Sequence, residues 1–169
     1  VRTNSDEPLR MERVSLPKGG LWVDGLDYDA VHFAAFDPRA TLTYDGALRG
    51  EVRDHGFVDG RALGRGFGRE AGDRVAYRWT VPAPMGDASL LLRVRMAPRG
   101  SLRLDASGLI EREIALTGGD GFAHHRVNVG AVPGGEVGLT LPSQGGADVE
   151  SDGIALVPAW GVGAVAFEP

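Results

Sequence analysis

The stretch "RVAYRWTVP", Arg74 to Pro82, decides the fold. Its apolar residues fall at every second position, Val75, Tyr77, Trp79 and Val81, with Arg74, Arg78 and Thr80 on the alternate positions. Successive side chains of a strand point to opposite faces, so this spacing gives one core face and one wet face, where a helix would need spacings of three and four. Pro82 ends the run because it has no N–H to give to a ladder. Working outward, "SLLLRVRMAP" sets Leu90, Leu92, Val94 and Met96 against Arg93 and Arg95. "SLRLDA" alternates Leu102 and Leu104 with Arg103 and Asp105, and "EVGLTLP" alternates Val137, Leu139 and Leu141 with Gly138 and Thr140. Such alternation marks half-buried strands of antiparallel sheets.

Turn chemistry separates the runs: "PAPMGD", "APRG", "ASG", "TGGDG", "VPGGE" and "PSQGG". The pattern predicts strands over 75–81, 89–96, 101–106, 110–116, 124–129, 136–141 and 153–157, with almost no α-helix, and burial of Trp79, Leu92 and Leu139. Short strands at this spacing build an all-β sandwich or barrel. Residues 20–70 are less regular. "AVHFAAF", "ATLTY" and "ALRGEV" read as strands, and "DHGFVDGRALGRGFGREAGD" (54–73) as one long glycine-rich loop. The polar residues 1–10 read as a flexible segment, 11–158 as the sandwich, and 159–169, with "AWGVGAVAF", as an apolar tail or linker.

Glycine supplies 26 of the 169 residues, about twice the usual share, which fits a chain of many tight turns. The net charge of −5 disfavours binding to phosphate backbones and hence to nucleic acid. Lys18 is the single lysine among 18 basic residues, a bias read first as codon usage. With no cysteine there are no disulfides and no thiolate metal sites. No apolar run reaches the length of a membrane span. The chain starts without Met or a signal-like apolar core, which reads as a mature or excised piece.

Catalytic and cofactor motifs are weak. "GFGREA" and "GVGAVA" fit G-x-G-x-x-A, but the first runs into a strand and the second meets the chain end, so neither opens a helix that could hold a pyrophosphate. His124 and His125 are neighbours on a strand and point to opposite faces, so they do not easily ligate one metal together, although a cluster with His32 and His55 is open; one of the pair reads as a surface or rim histidine, and His124 is the candidate beside a ligand surface. Ser107 in "DASGL" lacks the nucleophile-elbow pattern. Trp22, Tyr28, Phe57 and Phe122 lie in or beside Gly/Asp-rich segments. A ring there can stack on the apolar face of a pyranose while nearby carboxylates bond its hydroxyls.

From Asp73 to Pro158 the order of features resembles the galactose-binding-domain-like jelly roll of carbohydrate-binding modules in families 6 and 35. "GDRVAYRWTVP", "ASLLLRVRM", "SLRLDASGLIEREIAL", "GGDGFAHHRVNVGAVPGGEVGLTLP" and the closing "SDGIALVP" carry the likeness, with "GFVDGRALG" as a glycine-rich presentation loop. The resemblance implies an all-β antiparallel jelly-roll β-sandwich. It also implies a structural Ca²⁺ held by Asp152, at the start of the last strand, and Glu12 in "LRMERVSL", and it places ligand loops at Phe122 and around Asp148 or Glu150. The reading is therefore a non-catalytic carbohydrate-binding or accessory domain of a secreted, extracellular, glycan-active protein. Its partners would be a polysaccharide or oligosaccharide and a neighbouring catalytic or structural domain. The ligand-binding candidates are Trp22, Tyr28, Phe122, His124 and Asp148. The alternatives are a structural domain that packs on a neighbour or self-assembles, and a small polysaccharide hydrolase or lyase.

Overall fold

The computed structural model describes residues 10–35 and 50–169. The expected strand "ATLTY" and most of the segment 1–10 lie outside the described residues. The strands are β1 Arg13–Ser15, β2 Leu21–Asp24, β3 Ala30–His32, β4 Glu51–Arg53, β5 Arg61–Leu63, β6 Arg74–Val81 and β7 Met85–Arg95. They continue with β8 Ser101–Gly108, β9 Arg112–Thr117, β10 Phe122–Val132, β11 Gly135–Pro142, β12 Glu150–Pro158 and β13 Ala166–Glu168. A 3₁₀ turn, Ala159–Ala164, joins the last two, and the described residues contain no α-helix.

Two antiparallel sheets stack face to face. One runs β10-β7-β12-β5-β4, with β2 also paired to β12; the other runs β3-β6-β11-β8-β9. The alternation in "RVAYRWTVP" turns Val75, Tyr77, Trp79 and Val81 into the space between them, where each is at most 4% exposed. Leu92 and Leu139 face the same interior from β7 and β11, at 2% and 1% exposed. All six belong to one continuous apolar cluster spanning both sheets. The architecture is an all-β jelly-roll sandwich, and the strands read from the periodicity are present, most of them longer than expected.

Two segments behave differently from expectation. The loop read over 54–73 contains β5, a three-residue strand that pairs with β4 and touches β12 through Ser151 and Leu63. Residues 159–169, expected as a tail or linker, fold back onto the sandwich. There β13 pairs with β1, Val14 opposite Phe167. Val162 and Val165 pack on Leu91, Ala155 and Val157 together with Leu16 and Trp22. The face of the β7–β12 sheet turned away from the main core is thereby covered. Arg93, which the alternation puts on that outward face, is only 4% exposed.

Candidate functional site

A groove of about 770 Å³ opens at the end of the sandwich where β7 leaves its sheet and β12 enters it. The loop after β5 supplies Arg65, Gly66 and Arg69, the end of β7 supplies Arg95 and Met96, and the approach to β12 supplies Asp148, Val149 and Glu150. Among the described residues no aromatic ring lines it. Buried polar groups fix the glycine-rich loop. Asp73, 1% exposed, accepts the backbone N–H groups of Ala34, Gly68 and Glu70. The Ser143 hydroxyl donates to the Gly68 carbonyl at 2.9 Å. Gly68 itself has φ +97°, and a Cβ there would lie 2.7 Å from the Ala147 carbonyl oxygen, so only glycine fits.

Across this loop the Arg69 guanidinium donates twice to the Asp148 carboxylate, Nε at 2.8 Å and Nη2 at 2.6 Å, with both side chains largely in solvent. Arg95 donates to Glu150 at 2.8 Å and to Asp54 at 2.9 Å. Burial opposes the charge on Arg95, but the two carboxylates more than offset this and raise its pKa further. The groove thus sets fixed donors and acceptors side by side along walls made apolar by Val52, Met96, Ala97, Ala147 and Val149.

Glu12 and Asp152 do meet, through a third residue. Asp152 is the extra residue where the β7–β12 register slips, between Ser151 opposite Val94 and Gly153 opposite Arg93. Such a bulge re-aims its side chain. The Asp152 carboxylate accepts Arg93 Nη1 at 2.6 Å and the Val58 N–H at 2.9 Å. Arg93 Nη1 also donates to the Gly56 carbonyl at 3.1 Å, and Nη2 donates to Glu12 at 3.3 Å. The guanidinium lies against two rings, its Cζ 3.8 Å from the centre of Phe122 and 4.2 Å from that of Phe167. Burial pushes the Asp152 carboxyl up to about 6 despite the donors bonded to it. Calcium needs six to eight oxygens. Both carboxylates here are already bonded to a guanidinium, so the pair does not fit that ion as the side chains stand.

Five of the seven candidate site residues gather around this arginine and Phe167: Glu12, Asp152, Phe122, Trp22 and His124. The Trp22 ring meets Phe167 edge-on at 5.5 Å and gives its indole N–H to Asp24 at 2.6 Å. The ring lies so close over Gly153 that no side chain could replace that glycine's hydrogen. His124 stacks on Phe167 at 5.2 Å; burial, then the charge of Arg93, lowers its pKa. Tyr28 is half-buried against the main core, and Phe57, fully buried, packs edge-on to Phe122. Asp148 alone of the candidates lines the groove. Sequence reasoning did not single out Arg65, Arg69 or Arg93. The usable signal was "RVR", two arginines inside the most apolar strand, with acids at the mouth of its neighbour.

No protein-family model matches the sequence, and no curated protein does. Solved structures match by shape. A CBM35 from Cellvibrio japonicus Abf62 shares 14% identity at a TM-score of 0.57, covering 82% of this chain and 92% of that one. The CBM36-1 domain of a multidomain xylanase from the hindgut metagenome of Trinervitermes trinervoides shares 17% at 0.52, covering 83% and 98%. A Podospora anserina GH26-CBM35 β-(1,4)-mannanase shares 17% at 0.52; the match covers 85% of this chain and 28% of the mannanase. The chain is a β-sandwich resembling the carbohydrate-binding modules of families 6, 35 and 36.

Proposed function

We propose that the chain is a non-catalytic carbohydrate-binding accessory domain and that the groove at the Arg69–Asp148 pair holds the sugar. The observation that carries this is the bidentate pair itself, exposed and fixed in a groove with apolar walls. A sugar hydroxyl both donates and accepts, and neighbouring hydroxyls match a guanidinium and a carboxylate held next to each other. The apolar wall meets the C–H faces of the ring. Binding here raises the local concentration of an attached enzyme at a polysaccharide, in keeping with an extracellular protein whose further domains act on glycans. The shared fold supports the reading by analogy.

A glycan array followed by calorimetry on the full chain tests it. Asp148→Ala and Arg69→Ala should each weaken a binding glycan by about tenfold or more, since each leaves its partner's hydrogen bonds unmade. Tyr28→Phe, away from the groove, should leave affinity unchanged. An affinity untouched by both groove variants overturns the site, and release of reducing sugar by the purified chain overturns the non-catalytic reading.

One observation favours a second role, docking on a neighbouring domain. Trp160 is 74% exposed beside a depression of about 470 Å³ lined by Pro82, Pro84, Met85, Asp87 and Pro158, at the end of the sandwich opposite the groove. A large exposed ring on rigid proline walls suits a protein contact. Trp160→Ala should leave glycan affinity intact and weaken association with the adjoining domain.

A further inference from the structure

We infer that Arg93 is a built-in cation: its guanidinium does at the Glu12–Asp152 pair what a bound divalent ion would do, and the fold needs no metal there. This goes beyond the sugar-binding reading and does not depend on it. Three oxygens converge on one side chain: Asp152 Oδ2 at 2.6 Å, the Gly56 carbonyl at 3.1 Å and Glu12 Oε2 at 3.3 Å. Two carboxylates and a backbone carbonyl are the hard oxygen donors that calcium takes. Here they come from three remote parts of the chain: the segment before β1, the loop before β5 and the start of β12. A cation at their meeting point holds those parts together.

The surroundings favour a guanidinium over an ion. Phe122 from β10 and Phe167 from β13 both set a ring against it, and aromatic faces attract a flat, weakly hydrated cation. The aliphatic stem is fixed by β7, so the charge arrives already positioned. Asp152 is fully buried and Arg93 nearly so. Removing one partner of such a pair leaves the other's charge buried and uncompensated. The same geometry holds a latent calcium site. With the guanidinium gone, two carboxylates and a carbonyl face one vacated space.

Calcium titration with melting curves on the full chain decides between the two cations. For the native chain the expected result is an unchanged melting temperature in calcium and in chelator, and no calcium-binding heat. Arg93→Ala should melt lower and gain a calcium site of about 10⁻⁴–10⁻³ M, as in weak extracellular modules. At 10 mM calcium its melting temperature should then rise by about 3–10 °C. Arg93→Met, which keeps an apolar stem against the rings, serves as a second variant should Arg93→Ala fail to fold, and the same gain is expected. A native chain that loses stability in chelator, or binds calcium in a way that Asp152→Asn abolishes, overturns the inference. So does a folded Arg93→Met chain that ignores calcium.

Discussion

At the scale of single residues, the buried acids give the molecule a pH response whose sign can be worked out. Asp24 is pushed up to about 7 from 3.8, first by burial and then by the neighbouring Asp59 and Asp152 carboxylates, with the Trp22 N–H opposing. Asp152 moves the same way, to about 6, with Arg93 opposing. Below about pH 4 these groups are protonated in the folded and the unfolded chain alike. Between there and about pH 7 only the folded chain keeps the protons. Its stability is therefore fully present below the unfolded value and is lost as pH rises through the folded ones. Asp54 and His124 are lowered and work in the opposite sense, Asp54 losing its contribution only as pH falls below about 4 and His124 as pH falls below about 6.5, one partly exposed imidazole against two raised acids. The expected outcome is a higher melting temperature near pH 5 than near pH 8. Asp24 is only partly buried, so solvent screening reduces its share to on the order of 1–2 kcal/mol. Asp24→Asn should remove much of the difference and raise the melting temperature at pH 8. A chain that melts higher at pH 8 than at pH 5 has its acids differently placed.

At the scale of elements, the C-terminal segment is the least expected part and the easiest to test. Val162 in the 3₁₀ turn and Val165 after it cover Leu91, Ala155 and Val157, and β13 brings Phe167 over Arg93. Ending the chain after Pro158 would return that apolar face to water and take one ring off a buried cation. Burial of a few apolar side chains contributes about 1.5–3 kcal/mol each. A loss of about 3–5 kcal/mol is expected, read as a lower denaturant midpoint; an unchanged midpoint would show that the segment does not hold the face. The groove loop makes a second test. Asp73→Ala removes one carboxylate that accepts three backbone N–H groups. It should cost about 1–3 kcal/mol and speed amide exchange at Gly68 and Glu70, while Asp73→Asn should do so to a smaller degree. Equal exchange in Asp73→Ala and the native chain would mean that other contacts hold the loop.

At the scale of the whole molecule, the parts that could be read from sequence are those whose physics is local. Period-two alternation lies within one strand, so β6, β7, β8 and β11 and the burial of Trp79 are visible in a few consecutive residues. Alternation also tells which face of β7 is polar, but not what lies on that face. Arg93 reads as solvated because the strand that buries it, β13, comes some seventy residues later and is itself only three residues long. β5 escapes for the same reason: three residues among glycines carry too short a period to register. Asp148 lines the groove, whereas Arg65 and Arg69 give no sequence signal, since nothing in their own neighbourhood reveals Asp148 across the loop. The core, in contrast, is one cluster shared by both sheets, and this sets the last expectation. Leu92 from one sheet and Leu139 from the other face a common interior, so neither sheet can keep its packing without the other. Leu92→Ala and Leu139→Ala should each cost about 2–5 kcal/mol through lost burial and the cavity left behind. Each should lower the midpoint of one cooperative transition with an unchanged denaturant slope. Far-ultraviolet circular dichroism reports both sheets and tryptophan fluorescence reports the surroundings of Trp79 and the other indoles, so the two probes should give the same midpoint in both variants. Separate midpoints would show that the sheets unfold independently and that the shared core does not bind them into one unit.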